Sequence, residues 1–329
     1  MIVFLPKENL SSLLSRLGSK LEVVAAIRTE NGPVFSTWGG QSLDLERNPQ
    51  VPPTEFLLPQ KDVLFRYIQY SGRYAFEVEE PKSKLIVGVR PCDLKAIRVL
   101  DKIFGSEPAD NSYIRKRRSL ILAVLNCNRP GEACFCSQLG SGPECQDGFD
   151  LLLTELDSGY LVESGSSSGM LILKDYSEFF QDADSNHMEE KTRRMDGARK
   201  IMEAHQNRSP ENILNAMEKA DWEALGKQCL NCGGCTFVCP VCHCFNIIDL
   251  GVPDGERLRC RDSCILSGFS RMTGNVNPRK SAGERLRNWY LDKFQYIPEN
   301  TGLLGCVGCG RCSQVCLANL DKWNFGVLE

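Results

Sequence analysis

The chain has 329 residues, enough for two or three domains, and its net charge of −3 gives no bulk attraction to nucleic acid or to a membrane surface. The longest apolar run, Leu120–Leu125, is too short to cross a bilayer, and the start MIVFLPKENL lacks the charged opening and sustained apolar stretch of a secretory signal. Seventeen cysteines, an odd number, without such a signal indicate a reducing compartment, the cytoplasm, where thiols ligate metal instead of pairing.

In chain order, Leu10–Leu17 reads as a helix and Leu21–Ile27 as a strand. Residues 41–60 form an irregular, proline-rich segment, followed by an expected helix over Lys61–Gln69. Lys84–Val89 (KLIVGV) and Ser119–Leu125 (SLILAVL) read as buried strands. Between them a helix runs to Phe104 with Asp93 as its expected N-cap. Leu151–Thr154, Tyr160–Glu163 and Met170–Leu173 suggest a small sheet, with Gly165–Gly169 as a hairpin turn. The pattern then becomes helical to Gly226, with Pro210 at a helix start and His187 and His205 as ordinary polar positions. The fold class is thus an N-terminal α/β domain (1–175), a helical linker (176–226) and an α-helical two-cluster ferredoxin domain (227–329). No G-x-G-x-x-G or Walker A loop occurs, which leaves no usual loop for NAD or ATP.

The last part carries the chemistry. Cys229-Leu-Asn-Cys232-Gly-Gly-Cys235-Thr-Phe-Val-Cys239 and Cys306-Val-Gly-Cys309-Gly-Arg-Cys312-Ser-Gln-Val-Cys316 both follow C-x2-C-x2-C-x3-C. That is the spacing of two-cluster ferredoxins, in which the fourth cysteine ligates the other cluster. The expected ligand sets for two [4Fe–4S] clusters are therefore Cys229, Cys232, Cys235 with Cys316, and Cys306, Cys309, Cys312 with Cys239. Zinc sites pair two C-x2-C knuckles and do not account for the third and fourth cysteines. Between the motifs, residues 240–305 read as helices, with Ile265, Leu266, Phe269 and then Leu286, Trp289, Tyr290, Phe294 at helical spacing.

Five cysteines lie in the N-terminal half. Cys92 and Cys127 follow two strands at equivalent positions, and Cys134 and Cys136 share one loop. If the strands are parallel neighbours, the four thiols meet at the carboxyl end of the sheet, where α/β proteins place their sites. These four are the expected ligands of a third [4Fe–4S] cluster. Cys145 fits that set least, and small buried hydrophobes are the alternative reading. Cys242, Cys244, Cys260 and Cys264 are read as thiols packed around the ferredoxin clusters, with a fourth cluster as the alternative. His243 reads as a packed histidine. Arg311 either tunes the neighbouring cluster as a cation or points to solvent.

The segments VGVRPCDLKAI (87–97), CNRPGEACFC (127–136), GFDLLLT (148–154), CGGCTFVCPVCHCF (232–245), RDSC (261–264), NPRK (277–280) and GCVGCGRC (305–312) run in order along most of the chain. With them the chain resembles the dicluster 4Fe–4S electron-transfer subunits, which include an iron–sulfur subunit of anaerobic sulfite reductase and the beta subunit of sulfhydrogenases. Related iron–sulfur subunits accompany flavin oxidoreductases that feed heterodisulfide reductase. Three positions depart from the family pattern: Leu317 stands where proline follows the last cysteine, Cys260-Arg261 where tryptophan is usual, and Asp292 where histidine is common. The resemblance implies electron relay between a flavoprotein subunit that handles NAD(P)H and a terminal catalytic subunit of hydrogenase, sulfite reductase or heterodisulfide reductase type. From the net charge and the short apolar runs, neither nucleic acid nor a membrane is expected as partner. The resemblance also implies that Cys92 and the segment Cys127–Cys136 are functional. The alternative is a flavin- or cluster-based catalytic subunit similar to the beta subunits of coenzyme F420-dependent hydrogenases.

Overall fold

The computed structural model describes residues 1–203, 208–320 and Trp323; His205 lies outside them. The strands are β1 (Ile2–Pro6), β2 (Glu22–Thr29), β3 (Gly32–Thr37), β4 (Lys61–Tyr70), β5 (Arg73–Glu77), β6 (Lys84–Val89), β7 (Leu120–Leu125), β8 (Leu151–Glu155), β9 (Gly159–Ser164), β10 (Gln181–Asp182), β11 (Phe245–Leu250) and β12 (Gly255–Arg261). The helices are α1 (Asn9–Gly18), α2 (Pro91–Gly105), α3 (Asn111–Arg118), α4 (Ser167–Asp175), α5 (Ser185–Glu203), α6 (Pro210–Lys219), α7 (Trp222–Gln228), α8 (Gly234–Phe237), α9 (Ala282–Leu291), α10 (Ile297–Thr301) and α11 (Arg311–Gln314).

Eight strands form one mixed sheet in the order β10-β1-β9-β8-β7-β6-β2-β3. Its centre is parallel, β2 on β6, β6 on β7 and β7 on β8, and its flanks are antiparallel. Parallel strands covered on both faces need unbroken apolar runs, which KLIVGV and LILAVL supply. On one face, Leu10, Leu13, Leu14 and Leu17 of α1 and Ile172 and Leu173 of α4 pack on Leu85, Val87, Ala123 and Leu125. On the other, Leu94, Ile97, Leu100 and Phe104 of α2 and Tyr113 of α3 cover Ile86, Val89, Leu122 and Val124. Each such fully buried leucine stabilises the fold by roughly 1.5–3 kcal/mol relative to exposure. The register shifts between Val87 and Val89, where Gly88 sits at φ +93° with a Cβ position 3.0 Å from Leu45 Cδ2. This bulge turns the end of β6, and with it Arg90, Pro91 and Cys92, toward the site described below.

A second, antiparallel sheet runs β11-β12-β4-β5 and joins strands from both ends of the chain. Its β12–β4 seam holds a buried ion pair, Arg259 Nη2 to Asp62 Oδ2 at 2.8 Å. Asp62 also pairs with Lys116, and Arg259 with Asp110. The insert between the cysteine motifs is thereby fastened to α3. A third core cluster gathers Met202 of α5, Ile213 and Met217 of α6 and Leu225 of α7 around Trp289, Tyr290 and Phe294.

Four expectations are corrected. Lys61–Gln69 is the strand β4, because Val63, Phe65, Tyr67 and Ile68 find partner strands on both sides, and tertiary pairing overrides an ambiguous short apolar run. Met170–Leu173 lies in α4, because Ser166 caps that helix by accepting from Gly169 N at 3.1 Å, so Gly165–Gly169 makes no hairpin. The insert is not all helix: it opens with the hairpin β11–β12, and residues 265–269 are turns. Its later part is helical as expected, with a capping box of Ser281 and Glu284 on α9 and a π-turn over Asp292–Tyr296. Finally, Asp93 is not a cap. Pro91 takes the first position of α2 after Arg90, which leaves Asp93 inside the first turn, fully buried.

Candidate iron–sulfur sites

The two C-terminal motifs fold alike. In each, the residue two after the first cysteine has positive φ, Asn231 at 54° and Gly308 at 59°. Its amide donates back to that cysteine's sulfur, Asn231 N to Cys229 Sγ and Gly308 N to Cys306 Sγ, both at 3.5 Å. Gly233 and Gly310, both at φ +74°, then start the one-turn helices α8 and α11. A side chain at Gly310 would sit 2.6 Å from the backbone carbon of Ala133. These turns bend each loop around its cysteines, and the following short helix carries the fourth cysteine away.

The result is two cavities with crossed linings. One is lined by Cys229, Cys232, Cys235 and Cys316, the other by Cys239, Cys306, Cys309 and Cys312. The amide donors, the close-fitting glycines and four thiols per cavity suit [4Fe–4S] clusters. Apolar groups seal both: Ile265, Leu286 and Val315 around the first, Phe135, Trp289 and Trp323 around the second.

Cys92, Cys127, Cys134 and Cys136 line a third cavity of about 500 Å³, together with Arg47, Arg90, Arg129 and Cys309. Cys92 is the second residue of α2 after β6 and Cys127 follows β7, and these strands are parallel neighbours as expected. Cys145 lies elsewhere, its thiol directed to Asp147 O at 3.4 Å. Burial pushes all four lining thiols up, Cys134 to about 11, so they need a metal to become thiolates. Arg90 is 4 % exposed, and its Nη2 donates to Leu45 O and Arg47 O. Its Nε is buried without a partner. An unpaired N–H on a guanidinium that has no carboxylate partner among the described residues suits an anionic cluster at the four thiols.

The second and third cavities adjoin. Cys309 lines both. Phe135 N donates to Gly308 O at 2.8 Å, Ser141 Oγ to Val307 O at 2.7 Å, and Cys134 Sγ to Cys309 O at 3.5 Å. Arg311 points inward, not to solvent. It is 1 % exposed and forms a two-bond pair with Asp93, Nη1 to Oδ1 at 2.6 Å and Nη2 to Oδ2 at 3.0 Å. Its remaining donors go to Pro49 O and Asn48 Oδ1, in the proline-rich segment, at 2.8 and 2.7 Å. The pair joins the residue after Cys92 to the residue between Cys309 and Cys312.

Lys293 is a site residue that no sequence motif marks. It is 1 % exposed, lines the second cavity, and reaches Cys242 Sγ and Gly305 O at 3.5 Å each. Burial opposes its charge, but the sulfurs of Cys239 and Cys242 outweigh that and hold its pKa above the ordinary lysine range. The available signal is a lysine inside the stripe Trp289, Tyr290, Phe294. Cys242 lies close enough to Cys239 to favour the Cys239 thiolate, and Cys239 in turn pushes the Cys242 thiol up. Cys244 and Cys264 lie close enough to act on each other's thiols, and Cys260 lies on β12 opposite Asn246. His243 is packed, with Nδ1 on Val241 O at 3.1 Å and its ring against Phe104. His187 pairs with Asp184 on the surface of α5.

A 4Fe–4S dicluster domain model matches residues 228–320. The chain is 33 % identical over 290 residues to sulfhydrogenase 2 subunit beta of Pyrococcus furiosus, covering 85 % of this chain and 83 % of that one. No solved structure matches. Among the described residues no helix is long and apolar enough to cross a membrane. The paired motifs, the crossed cavities and the likeness along most of the chain place this protein in the family of dicluster 4Fe–4S electron-transfer subunits to which sulfhydrogenase beta subunits belong.

Proposed function

We propose that the chain is a cytoplasmic electron relay with three [4Fe–4S] clusters in a row. The first is held by Cys229, Cys232, Cys235 and Cys316, the second by Cys239, Cys306, Cys309 and Cys312, and the third by Cys92, Cys127, Cys134 and Cys136. The supporting observation is that Cys309 lines two of the three four-cysteine cavities, so the N-terminal site adjoins the second centre rather than the first. Bound clusters supply one-electron storage at each set of thiolates. The protein's own residues do the rest. Phe135, Trp289 and Trp323 exclude water, the Asn231 and Gly308 amides orient sulfurs, and Arg90, Lys293 and Arg311 place positive charge beside the thiolates.

In this reading residues 1–175 carry one end of the relay, 176–226 link, and 227–329 carry the other end. The partners are a flavoprotein that oxidises NAD(P)H and a terminal catalytic subunit of hydrogenase, sulfite reductase or heterodisulfide reductase type. The test is iron and acid-labile sulfide per chain in protein purified without oxygen, with EPR of the reduced form. About twelve irons support three clusters, and about eight confine the metal to the ferredoxin motifs.

One observation favours a second reading. The N-terminal cavity holds about 500 Å³ against about 30 and 20 Å³ for the other two. That room would admit a flavin or substrate, as in a catalytic subunit similar to those of F420-dependent hydrogenases. Flavin absorbance in the purified chain distinguishes the two.

A further inference from the structure

Cys244 and Cys264 belong to none of the three four-cysteine cavities, yet they lie close enough to act on each other's thiols. The hairpin brings them together. Phe245 pairs with Arg261 at the base of β11–β12, and Asp262 N donates to Cys244 O at 2.9 Å. The chain then turns, with Ser263 Oγ accepting from Ile265 N at 3.2 Å and held by Thr236 Oγ1 at 2.8 Å. This brings Cys264 back onto Cys244. Both are free thiols; Cys244 is partly exposed, and Cys264 is 5 % exposed. Both lie beside one another and outside the three complete sets of four cysteines, which leaves them to bond to each other.

The surroundings are those of a redox site. Lys293 lies close enough to act on both thiols, and it also lines the cavity of Cys239, Cys306, Cys309 and Cys312. Cys242 accepts from Lys293 Nζ at 3.5 Å and lies close enough to Cys239 and to Cys264 for both to act on its thiol. The neighbouring Cys264 holds Cys244 below the ordinary thiol range, while Cys244 and burial push Cys264 up. The more accessible sulfur is thus the better nucleophile.

We infer that Cys244 and Cys264 form a redox-active dithiol–disulfide pair that exchanges two electrons with the adjacent iron–sulfur centre. On reduction, two electrons arrive one at a time from that centre and two protons from solvent on the Cys244 side. The S–S bond breaks and two S–H bonds form. On oxidation by a small-molecule disulfide, the Cys244 thiolate attacks, a mixed disulfide forms, and Cys264 displaces the second thiol. A pair of this kind lets a one-electron relay store or deliver electrons in twos. The inference rests on the relay reading only for the source of the electrons.

The test uses the full chain with its clusters, purified without oxygen and equilibrated in dithiothreitol redox buffers of graded potential. It is then alkylated and mapped by peptide mass spectrometry. The expected result is a two-electron transition that links the Cys244 and Cys264 peptides with loss of two hydrogens, at unchanged iron content. Starting from the disulfide form, reductive titration takes up two more electrons per chain than Cys264→Ser, and Cys244→Ser repeats the loss. Full alkylation of both cysteines at every potential overturns the inference. So does a link seen only after iron is lost, or a zinc ion bound at the pair. The wild-type mapping needs no variant to fold. An iron count of eight would sink the three-cluster reading without touching this result.

Discussion

Replacing Arg311 with Ala removes a guanidinium that is 1 % exposed and leaves Asp93, at 0 % exposure, as an unpaired charge in the core. Four donor bonds are lost at once, two to Asp93 and one each to Pro49 O and Asn48 Oδ1. Removing one partner of a buried pair costs about 3–5 kcal/mol, a large share of the roughly 5–15 kcal/mol that holds a folded domain. Asp93→Ala is expected to cost a similar amount. The double substitution is expected to cost less than the sum of the two by about 2 kcal/mol or more, since neither charge is then stranded. The assay is urea denaturation followed by circular dichroism without oxygen, compared at the midpoint because cluster loss complicates extrapolation. The same variants carry an electrostatic signature at the centre of Cys309 and Cys312. Arg311→Ala lowers its potential and Asp93→Asn raises it, because a cation favours the reduced, more negative state. A single variant within about 1 kcal/mol of wild type, additive losses, or potential shifts of the same sign would refute this account of the pair.

Lys293→Met keeps the bulk and removes the charge facing Cys242 and Gly305. Iron content should stay constant while the potential of the adjoining centre falls by tens of millivolts, where about 59 mV corresponds to ~1.4 kcal/mol for one electron; an unmoved EPR redox titration would count against it. Cys316→Ala should damage the centre of Cys229, Cys232 and Cys235, and Cys239→Ala that of Cys306, Cys309 and Cys312, so EPR of the two variants should lose different signals. Gly308→Ala places a Cβ 2.7 Å from Cys136 N at a φ of +59°. It should loosen the N-terminal loop and cost that site its iron, about four atoms per chain, while the centre of Cys229 survives.

Local features explain which parts of the fold could be read in advance. The apolar runs of β6 and β7 and the leucine stripe of α1 carry their own periodicity, so their elements follow from the residues alone. Lys61–Tyr70 does not: its apolar positions suit a helix or a strand, and only β5 and β12, the latter nearly 200 residues away, decide. Asp93 has the residue type and place of a helix cap, and nothing local signals that its partner is Arg311, 218 positions later. Lys293 is a charge in an apolar stripe, and only the packed interior shows that sulfurs surround it.

The cysteine spacing by itself gave the paired motifs and the expectation of crossed sets, which matches the crossed lining of the two cavities, because three cysteines on one tight loop leave the fourth too far along the short helix to face the same cavity. The sequence placed Cys92 and Cys127 together only on the condition that their strands are parallel neighbours, and the β6–β7 pairing meets that condition. Tertiary structure alone decided that Cys309 is shared between two cavities, that Arg311 and Asp93 bind the N-terminal site to the second motif, and that the β11–β12 hairpin brings Cys264 back beside Cys244. Those relations join segments far apart in the chain, and only the packing of the two sheets and the cysteine loops fixes the distances between them.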